Sequence, residues 1–492
     1  MRHRSAWAAI VLAALGGCAT QDAAVDHEAS TLPTSWGTRQ LPEVLPAPPA
    51  PWRAAQPNDA AQKGRWWAAF NDPDLNALQD QALAQSQSLR VAAARLRQAH
   101  AALQFSGAAH LPRLDASLRD SRTRTSANRP ATSNAAQAVS SIQNDHVLSL
   151  GVSYELDLFG RVREDIKGAQ AAEQQSRAEL ENAQLVLSAD LAAFYFNLRS
   201  LDAEIDVVSQ GIAVQTRASS LLSARREGGA ASGLDVAQQQ ALLDATRTQL
   251  ELLKRQRQQL EHALATLVGV PAPNFSLPHA DLPATAPVIP VALPSDVLER
   301  RPDVAAAERA VAVSNAQIGV ARAAWFPSFT LNANGGWESR DIARLLDGPS
   351  LLWSLGSSVA QSVFDGGRNS ARIEQARAAH EAASANYRQT VLRALQEVED
   401  GLSGINALSA ARVQSQAAVA SAQKVLDIAT DRYQGGLTTY LDVVTAQQNV
   451  LNNRRLSTQL LGQQLVTTTY LVKALGGSWT TADRDTVAST AK

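Results

Sequence analysis

Arg432–Val443 reads RYQGGLTTYLDV, and 207 residues earlier Arg225–Val236 reads RREGGAASGLDV. In each, a basic residue precedes paired glycines and a Leu-Asp-Val. Glycine takes the left-handed backbone that ends a helix, and a short acidic side chain accepts from amides opening the next one. Both stretches therefore read as a helix stop followed by a helix start. The same offset carries Leu234 onto Leu441, Asp235 onto Asp442, Gly269 onto Gly476 and Arg161 onto Arg368. The chain is a duplication, and its unit is too long for a solenoid repeat.

Working outward from the turns, residues 161–225 contain no proline and few glycines, so they predict one helix of about 97 Å at 1.5 Å per residue. A second helix is expected over 234–267, ending at Gly269. Asn71-Asp72-Pro73-Asp74 is a helix-start signal, and the helix it opens is expected to run from 74 to 109. These shorter helices, about 54 and 51 Å, would match the long one if stacked end to end. Helices near 296–324, 368–431 and 441–475 repeat the scheme. The expectation is a tall antiparallel bundle with its strands gathered at one end.

Those strands announce themselves by period two. Leu148, Leu150, Val152, Tyr154, Leu156 and Leu158 alternate with Ser149, Gly151, Ser153, Glu155 and Asp157. Leu114, Ala116 and Leu118 alternate likewise, and Ser121–Asp145 reads as a polar loop. The second half offers Phe329, Leu331 and Ala333, then Trp353, Leu355 and Val359. One apolar and one polar face fits a membrane barrel strand, although a soluble sandwich edge alternates in the same way. Four strands alone cannot close a barrel without leaving backbone groups unpaired in lipid, so several subunits would have to contribute.

Composition narrows the function. The chain has 492 residues, 45 basic against 46 acidic, and a net charge of −1, which does not supply the basic face a nucleic-acid partner needs. Aromatics make up 5% and charged residues 18%, as suits long helices in small-residue contact. The single cysteine excludes disulfide scaffolds and serial zinc knuckles. Neither an HExxH pair, a GxSxG elbow nor a GxxxxGK[ST] loop occurs. Glu397, Glu399 and Asp400 fall on a long helix and read as solvated or intersubunit groups rather than catalytic ones. No catalytic residue, metal site or cofactor is expected beyond a covalent lipid.

That lipid is expected on Cys18. Residues 1–17 carry Arg2 and Arg4 ahead of a short apolar stretch, Ala6–Leu15, too short to span a membrane. Leu15-Gly16-Gly17-Cys18 resembles a bacterial lipobox, with Cys18 acylated as the first mature residue. The reading divides the chain into a signal peptide (1–17), a lipidated proline-rich tether (18–62), a first repeat (63–270), a linker (271–292), a second repeat (293–477) and a disordered tail (478–492). Trp66, Trp67 and Phe70 read as packing.

Taken in order, WWAAFNDPDLNAL (Trp66–Leu78), YELDLFGR (Tyr154–Arg161), LPSDVLERRPDVAAAE (Leu293–Glu308), GVARAAWFPSF (Gly319–Phe329), FDGGR (Phe364–Arg368) and RYQGGLTTYLDV make the chain resemble the TolC-type outer-membrane efflux family, in its NodT-type lipoprotein branch. The resemblance implies a mainly α fold with membrane β: a homotrimer whose protomers each give four strands to a 12-stranded outer-membrane barrel, continued by a periplasmic α-helical barrel. It implies a passive exit duct for drugs or other small toxic compounds. Its partners would be outer-membrane lipids, a periplasmic membrane-fusion adaptor and an inner-membrane, proton-driven pump. A type I secretion outlet shares the fold, and a channel-less coiled-coil lipoprotein would keep Cys18 and the helices.

The resemblance also assigns positions. Tyr433, Thr438, Asp442 and Thr445 would lie at the periplasmic aperture, with Asp442 in a three-fold ring. Thr438 stands where the family's best-known member has an arginine, and Thr445 where it has a second aspartate. Arg225, Gly228, Gly229, Asp235, Arg432, Gly435 and Gly436 mark candidate adaptor-contact turns; Asp235 and Asp442 read equally as helix-start residues. Phe159, Gly160, Arg161, Phe364, Gly366, Gly367 and Arg368 would mark the barrel-to-tunnel transition.

Overall fold

In a computed structural model of the chain, residues 64–126, 142–287, 289 and 298–477 are described. The signal segment, Cys18, the tether, the end of the linker and the tail fall outside them.

Asp72 opens α1 (Pro73–Gln85): its carboxylate accepts from the Leu75 amide at 3.0 Å, and Pro73 occupies the first turn, where a missing N–H costs nothing. The helix expected over 74–109 is two helices, because Ser86 leaves helical geometry (φ −57°, ψ 128°) before α2 (Gln87–Ala108) begins. Gly269, the left-handed cap of α4 (Gly233–Val268), explains the break. A Cβ built there would sit 2.6 Å from the Gln85 carbonyl oxygen, so the α4 terminus abuts the backbone at the interruption. The long helices run as expected: α3 (Arg161–Glu227) and α6 (Arg368–Gln434) have 67 residues each, about 100 Å of helix. The second half also carries α5 (Pro302–Ala323), which residues 298–300 precede as a separate helical piece broken at Arg301, and α7 (Tyr440–Ala474).

Four strands, β1 (Arg113–Arg124), β2 (Ile142–Leu156), β3 (Ser328–Ser339) and β4 (Leu351–Ala360), form one antiparallel sheet in the order β1-β2-β3-β4. Two sequence boundaries are corrected. Ser121–Arg124 and Ile142–Asp145 are strand, not loop: pairing continues from Ser121↔Asp145 to Arg124↔Ile142 although both faces have turned polar there. Asp157 and Leu158 lie beyond β2, and the Asp157 carboxylate instead accepts from the amides of Val162 and Arg163 at 3.1 and 2.9 Å, capping α3.

Register sorts the faces. Leu114, Val152, Ala333 and Leu355 share one rung, Ala116, Leu150, Gly335 and Trp353 the next, and Leu118, Leu148, Trp337 and Leu351 the third. The opposite face carries Asp115, Gly151, Asn334 and Ser354, then Ser117, Ser149, Gly336 and Leu352. Trp353 is 78% exposed and Leu355 79%, so the apolar face is uncovered within one chain, as the polar face is.

The chain divides into two compact units, each assembled from both halves of the sequence. One comprises residues 97–175 and 308–386, with the sheet; the other comprises the described parts of 29–96, 176–307 and 387–492. In the second, Trp66, Trp67 and Phe70 are buried with Leu75, Leu191, Phe196, Leu264 and Leu465. The packing reading of those aromatics holds.

Candidate site at the paired helix turns

Both turns are built by the same backbone device in the second unit. At the first, the Ala230 amide donates to the Arg225 carbonyl (2.7 Å) and the Gly229 amide to that of Arg226 (3.0 Å). At the second, Leu437 donates to Arg432 (2.9 Å) and Gly436 to Tyr433 (3.0 Å). This is the Schellman closure, and it requires a left-handed residue, which Gly229 and Gly436 supply with φ of 73° each. Arg225 and Arg432 thus occupy matched positions in the last helical turn, where their charge suits the helix dipole. Gly228 and Gly435 precede the left-handed residue.

The helix starts then diverge. At α4 the cap is Ser232, not Asp235: the Ser232 hydroxyl accepts from the Asp235 amide (3.1 Å), and the Asp235 carboxylate accepts from the Ser232 amide (3.3 Å). Asp235 is the reciprocal member of a capping box rather than an acceptor for the next helix's early amides. At α7 the matched residue, Thr439, makes no side-chain cap; Thr438 instead donates its hydroxyl to the Asp442 carboxylate. Asp442 is exposed, and the Thr445 hydroxyl donates to the Leu441 carbonyl of its own helix at 2.8 Å.

Two tyrosines join the hairpins. The Tyr433 hydroxyl donates to Asp235 Oδ2 at 3.2 Å, and the buried Tyr440 hydroxyl donates to Gln239 Oε1 at 2.7 Å. Their rings meet edge-on, 4.9 Å between centroids, beside Leu222 and Val443. Burial, then the Asp235 charge, raises the Tyr433 pKa against the opposing effect of Arg225. Burial, with Tyr433 and Asp235 adding to it, pushes Tyr440 up to about 12. Further along, Glu204, 3% exposed, accepts from Arg455 Nε (2.7 Å) and Gln459 Nε2 (3.1 Å), tying α7 to α3 again.

Reading the sequence placed Tyr433 at the turn without its partner, and it did not find Tyr440, Gln239 or Glu204. A signal for the tyrosines exists: at the 207-residue offset Tyr433 replaces Arg226 and Tyr440 replaces Gly233, so aromatic groups mark one turn only.

The strand-to-helix residues cluster in the other unit. Gly160 turns with φ 81°, Arg161 forks onto Glu155 with two bonds of 2.8 and 2.7 Å, and Phe159 stacks on Phe326 at 4.6 Å. In the second copy Asp365 accepts from the amides of Asn369 (2.8 Å) and Gly367 (2.9 Å), which hold its carboxyl below the usual range. Gly366 and Gly367 both have positive φ. Phe364 is 91% exposed, and Ser362 stands where Glu155 would pair Arg368.

Among the described residues no group of three or more His, Cys, Asp and Glu side chains is placed to hold a metal, and no helix is long and apolar enough to cross a membrane.

A duplicated helix hairpin and a four-stranded sheet with an exposed apolar face are the parts of a TolC-like fold. The family model described as outer membrane efflux protein matches residues 78–270 and 293–477, and the chain belongs to that family. It is 32% identical over 438 residues to the pyoverdine export outer membrane protein OpmQ of Pseudomonas putida, covering 88% of this chain and 92% of that one. It is 32% identical over 470 residues to the toluene efflux pump outer membrane protein TtgF of Pseudomonas putida, covering 95% of each. Among solved structures the outer-membrane channel OprN superimposes with a TM-score of 0.80 at 28% identity, covering 88% of this chain and 99% of that one. The protein is an outer-membrane efflux channel.

Proposed function

We propose that three copies of this chain form the exit duct of a tripartite pump, passing drugs or other small toxic organic compounds outward without chemistry of its own. The observation that carries this reading is the sheet. It is four strands wide, open at β1 and β4, and bare on its apolar face. Open edges in lipid would leave backbone groups unpaired, and three such sheets joined edge to edge give a barrel of about twelve strands with none. The family relatives named for pyoverdine and toluene motivate the substrate class.

In this reading Cys18 carries the lipid anchor, the turns at Gly228–Gly229 and Gly435–Gly436 meet a periplasmic adaptor, and a proton-driven inner-membrane pump delivers the cargo. Tyr433, Thr438, Asp442 and Thr445 set the aperture, and the residues around Arg161 and Arg368 carry strand into helix.

The test is reconstitution of the lipidated protein in planar bilayers beside unheated gel electrophoresis. A heat-labile trimer with discrete, cation-preferring openings is expected. A protein that gives only monomer, with no barrel-bearing oligomer, would defeat the duct and favour a channel-less lipoprotein.

A further inference from the structure

The sheet contains one finished seam between the two halves of the chain. β2 runs into α3 and α5 runs into β3, and these connections lie side by side because Leu156 pairs with Phe329. Phe159 of the first connection stacks on Phe326 of the second, with 4.6 Å between centroids and 13° between planes.

The duplication supplies the same two parts again, at the edges of the sheet. α2 ends at Ala108 and β1 begins at Arg113; 215 residues further on, α5 ends at Ala323 and β3 begins at Ser328. Leu111-Pro112 therefore takes the place of Phe326-Pro327. The backbone agrees: the Leu111 amide donates to the Ala108 carbonyl at 3.0 Å, and the Phe326 amide to that of Ala323 at 3.1 Å. The link from β4 to α6, residues 361–367, likewise corresponds to the link from β2 to α3, residues 157–160. Its large apolar side chains are Val363 and Phe364.

Within one chain these two edge parts do not meet. β1 and β4 are the outer strands, so three strand spacings, about 14 Å, lie between them. Val363 is 96% exposed, Phe364 91% and Leu111 69%. The β4–α6 link is fastened to the end of α5 by polar groups alone: Asn369 Nδ2 donates to the Ala324 carbonyl at 3.2 Å, and Gln361 Nε2 to that of Trp325 at 3.4 Å. An uncovered apolar group of this kind marks an interaction surface. Strand direction identifies the partner. β2 and β4 finish at the end of the sheet where β1 and β3 start. Antiparallel pairing of β4 with β1 of another copy thus repeats the β2–β3 pairing, and sets the β4–α6 link beside that copy's α2–β1 connection.

We propose that Val363 and Phe364 dock on Leu111 and Pro112 of a second copy of this chain, reproducing between chains the contact that Phe159 and Phe326 make within one. The inference rests on the trimeric reading above. Because Leu111 is aliphatic, the contact is an aromatic ring laid on a leucine and a proline rather than two stacked rings.

Paired cysteines in the full chain test it. Outer membranes carrying L111C/F364C, treated with a thiol cross-linker shorter than the ~14 Å between the edges of one sheet, should give dimer and trimer bands on boiled gels. Wild type, which keeps Cys18, and either single variant should remain monomeric on the same gels. F364S should lower the temperature at which the unboiled trimer dissociates by about 5 °C or more, whereas F364L should retain most of the wild-type value. A trimer on unheated gels that gives no cross-linked bands from L111C/F364C overturns the docking and leaves lipid as the cover of Phe364. Bands from F364C alone, or an F364S trimer as heat-resistant as wild type, overturn it as well. Wild-type protein that gives only monomer takes the duct reading down with it.

Discussion

Tyr433 donates its hydroxyl to Asp235 Oδ2 across 198 residues of sequence, and the same carboxylate accepts the Ser232 amide that opens α4. One aspartate therefore completes the capping box of its own helix and holds the other hairpin. The matched Asp442 accepts instead from Thr438, within its own turn. The duplication has been specialised: one acid is committed inside the fold, and the other remains exposed.

Removing the Tyr433 hydroxyl should loosen the α6–α7 hairpin while leaving the capping box intact. A hydrogen bond to a charged group contributes about 1.5 kcal/mol or more, so Tyr433→Phe should shift a closed–open equilibrium roughly tenfold toward open. Single-channel recording should show longer or larger openings. An Asp235→Asn variant should open further, because it also weakens the cap. Wild-type conductance from both variants would show that the bond does not restrain the aperture.

The two tyrosines also predict an alkaline transition. Tyr440 titrates at about 12 rather than 10.0, and Tyr433 is raised in the same direction, burial being the main cause for both. A phenol whose folded pKa is raised favours folding fully below pH 10, and that contribution disappears as pH climbs through the folded value. The turn should be indifferent to pH across the neutral range and loosen between pH 10 and about 12. Tyrosinate absorbance in a pH titration should show a late-titrating component, shared with the buried Tyr195, that Tyr440→Phe diminishes by one phenol. If Tyr440→Phe leaves the curve unchanged, that hydroxyl is not held as described.

Asp442 is expected to act through its charge. Three exposed carboxylates around a narrow opening would attract cations and divalent blockers. Asp442→Ala should weaken divalent-cation block and lower cation preference, whereas Thr438→Val should change the block only slightly, since it removes a hydrogen bond but no charge. Reversal potentials in a salt gradient and titration with a divalent cation measure both. An unaltered block in Asp442→Ala would place the constriction elsewhere.

How much of this was legible follows from which interactions are local. The Gly-Gly stops, the long helices and the apolar band are encoded within a few residues of themselves, so pattern alone finds them. Strand pairing at Ser121–Arg124 escaped because both of its faces are polar and nothing alternates. The break at Ser86 escaped because its cause, Gly269, lies far along the chain. Ser232 was overlooked in favour of Asp235 because both residue types cap helices, and only geometry shows which one accepts from the first turn. Tyr433–Asp235 and Glu204–Arg455 join segments about two hundred residues or more apart and leave no periodic trace.

Arg199 supplies a stability test away from the turns. It is fully buried, donates to Asp202 (3.1 Å), Asp74 (3.1 Å) and the Pro278 carbonyl (2.6 Å), and lies over the Tyr195 ring at 4.8 Å. Arg257 also binds Asp202, at 2.6 Å, and His279 Nδ1 lies 3.3 Å from it, so the acid would keep these two neighbours if Arg199 were lost. Arg199→Leu should still cost about 3–5 kcal/mol, because a buried carboxylate loses one of its charged partners and the Pro278 carbonyl loses its donor. Thermal unfolding of the protein should report the loss, with single-channel properties of the surviving protein unchanged. A variant as stable as wild type would mean that Arg257 and His279 satisfy Asp202 without Arg199.

Gly462 offers a test of packing that one compensating change can rescue. On α7 it faces Ser200 of α3 so closely that a built Cβ would overlap both the Ser200 hydroxyl and its Cβ. Both residues belong to regular helices, so neither backbone can retreat without disturbing its neighbours, among them the buried Leu465 and Leu198. Gly462→Ala should therefore destabilise by about 1–3 kcal/mol despite the better helix propensity of alanine, which opposes it by about 1 kcal/mol. Adding Ser200→Gly removes both clashing atoms. The double variant should regain most of the loss, limited by the cost of placing a glycine in the middle of α3. A double-mutant cycle on thermal unfolding should give a coupling of about 1 kcal/mol or more, in the rescuing direction. Simple additivity of the two changes would show that the helices part to admit the methyl group, and that the close approach at Gly462 does not hold them together.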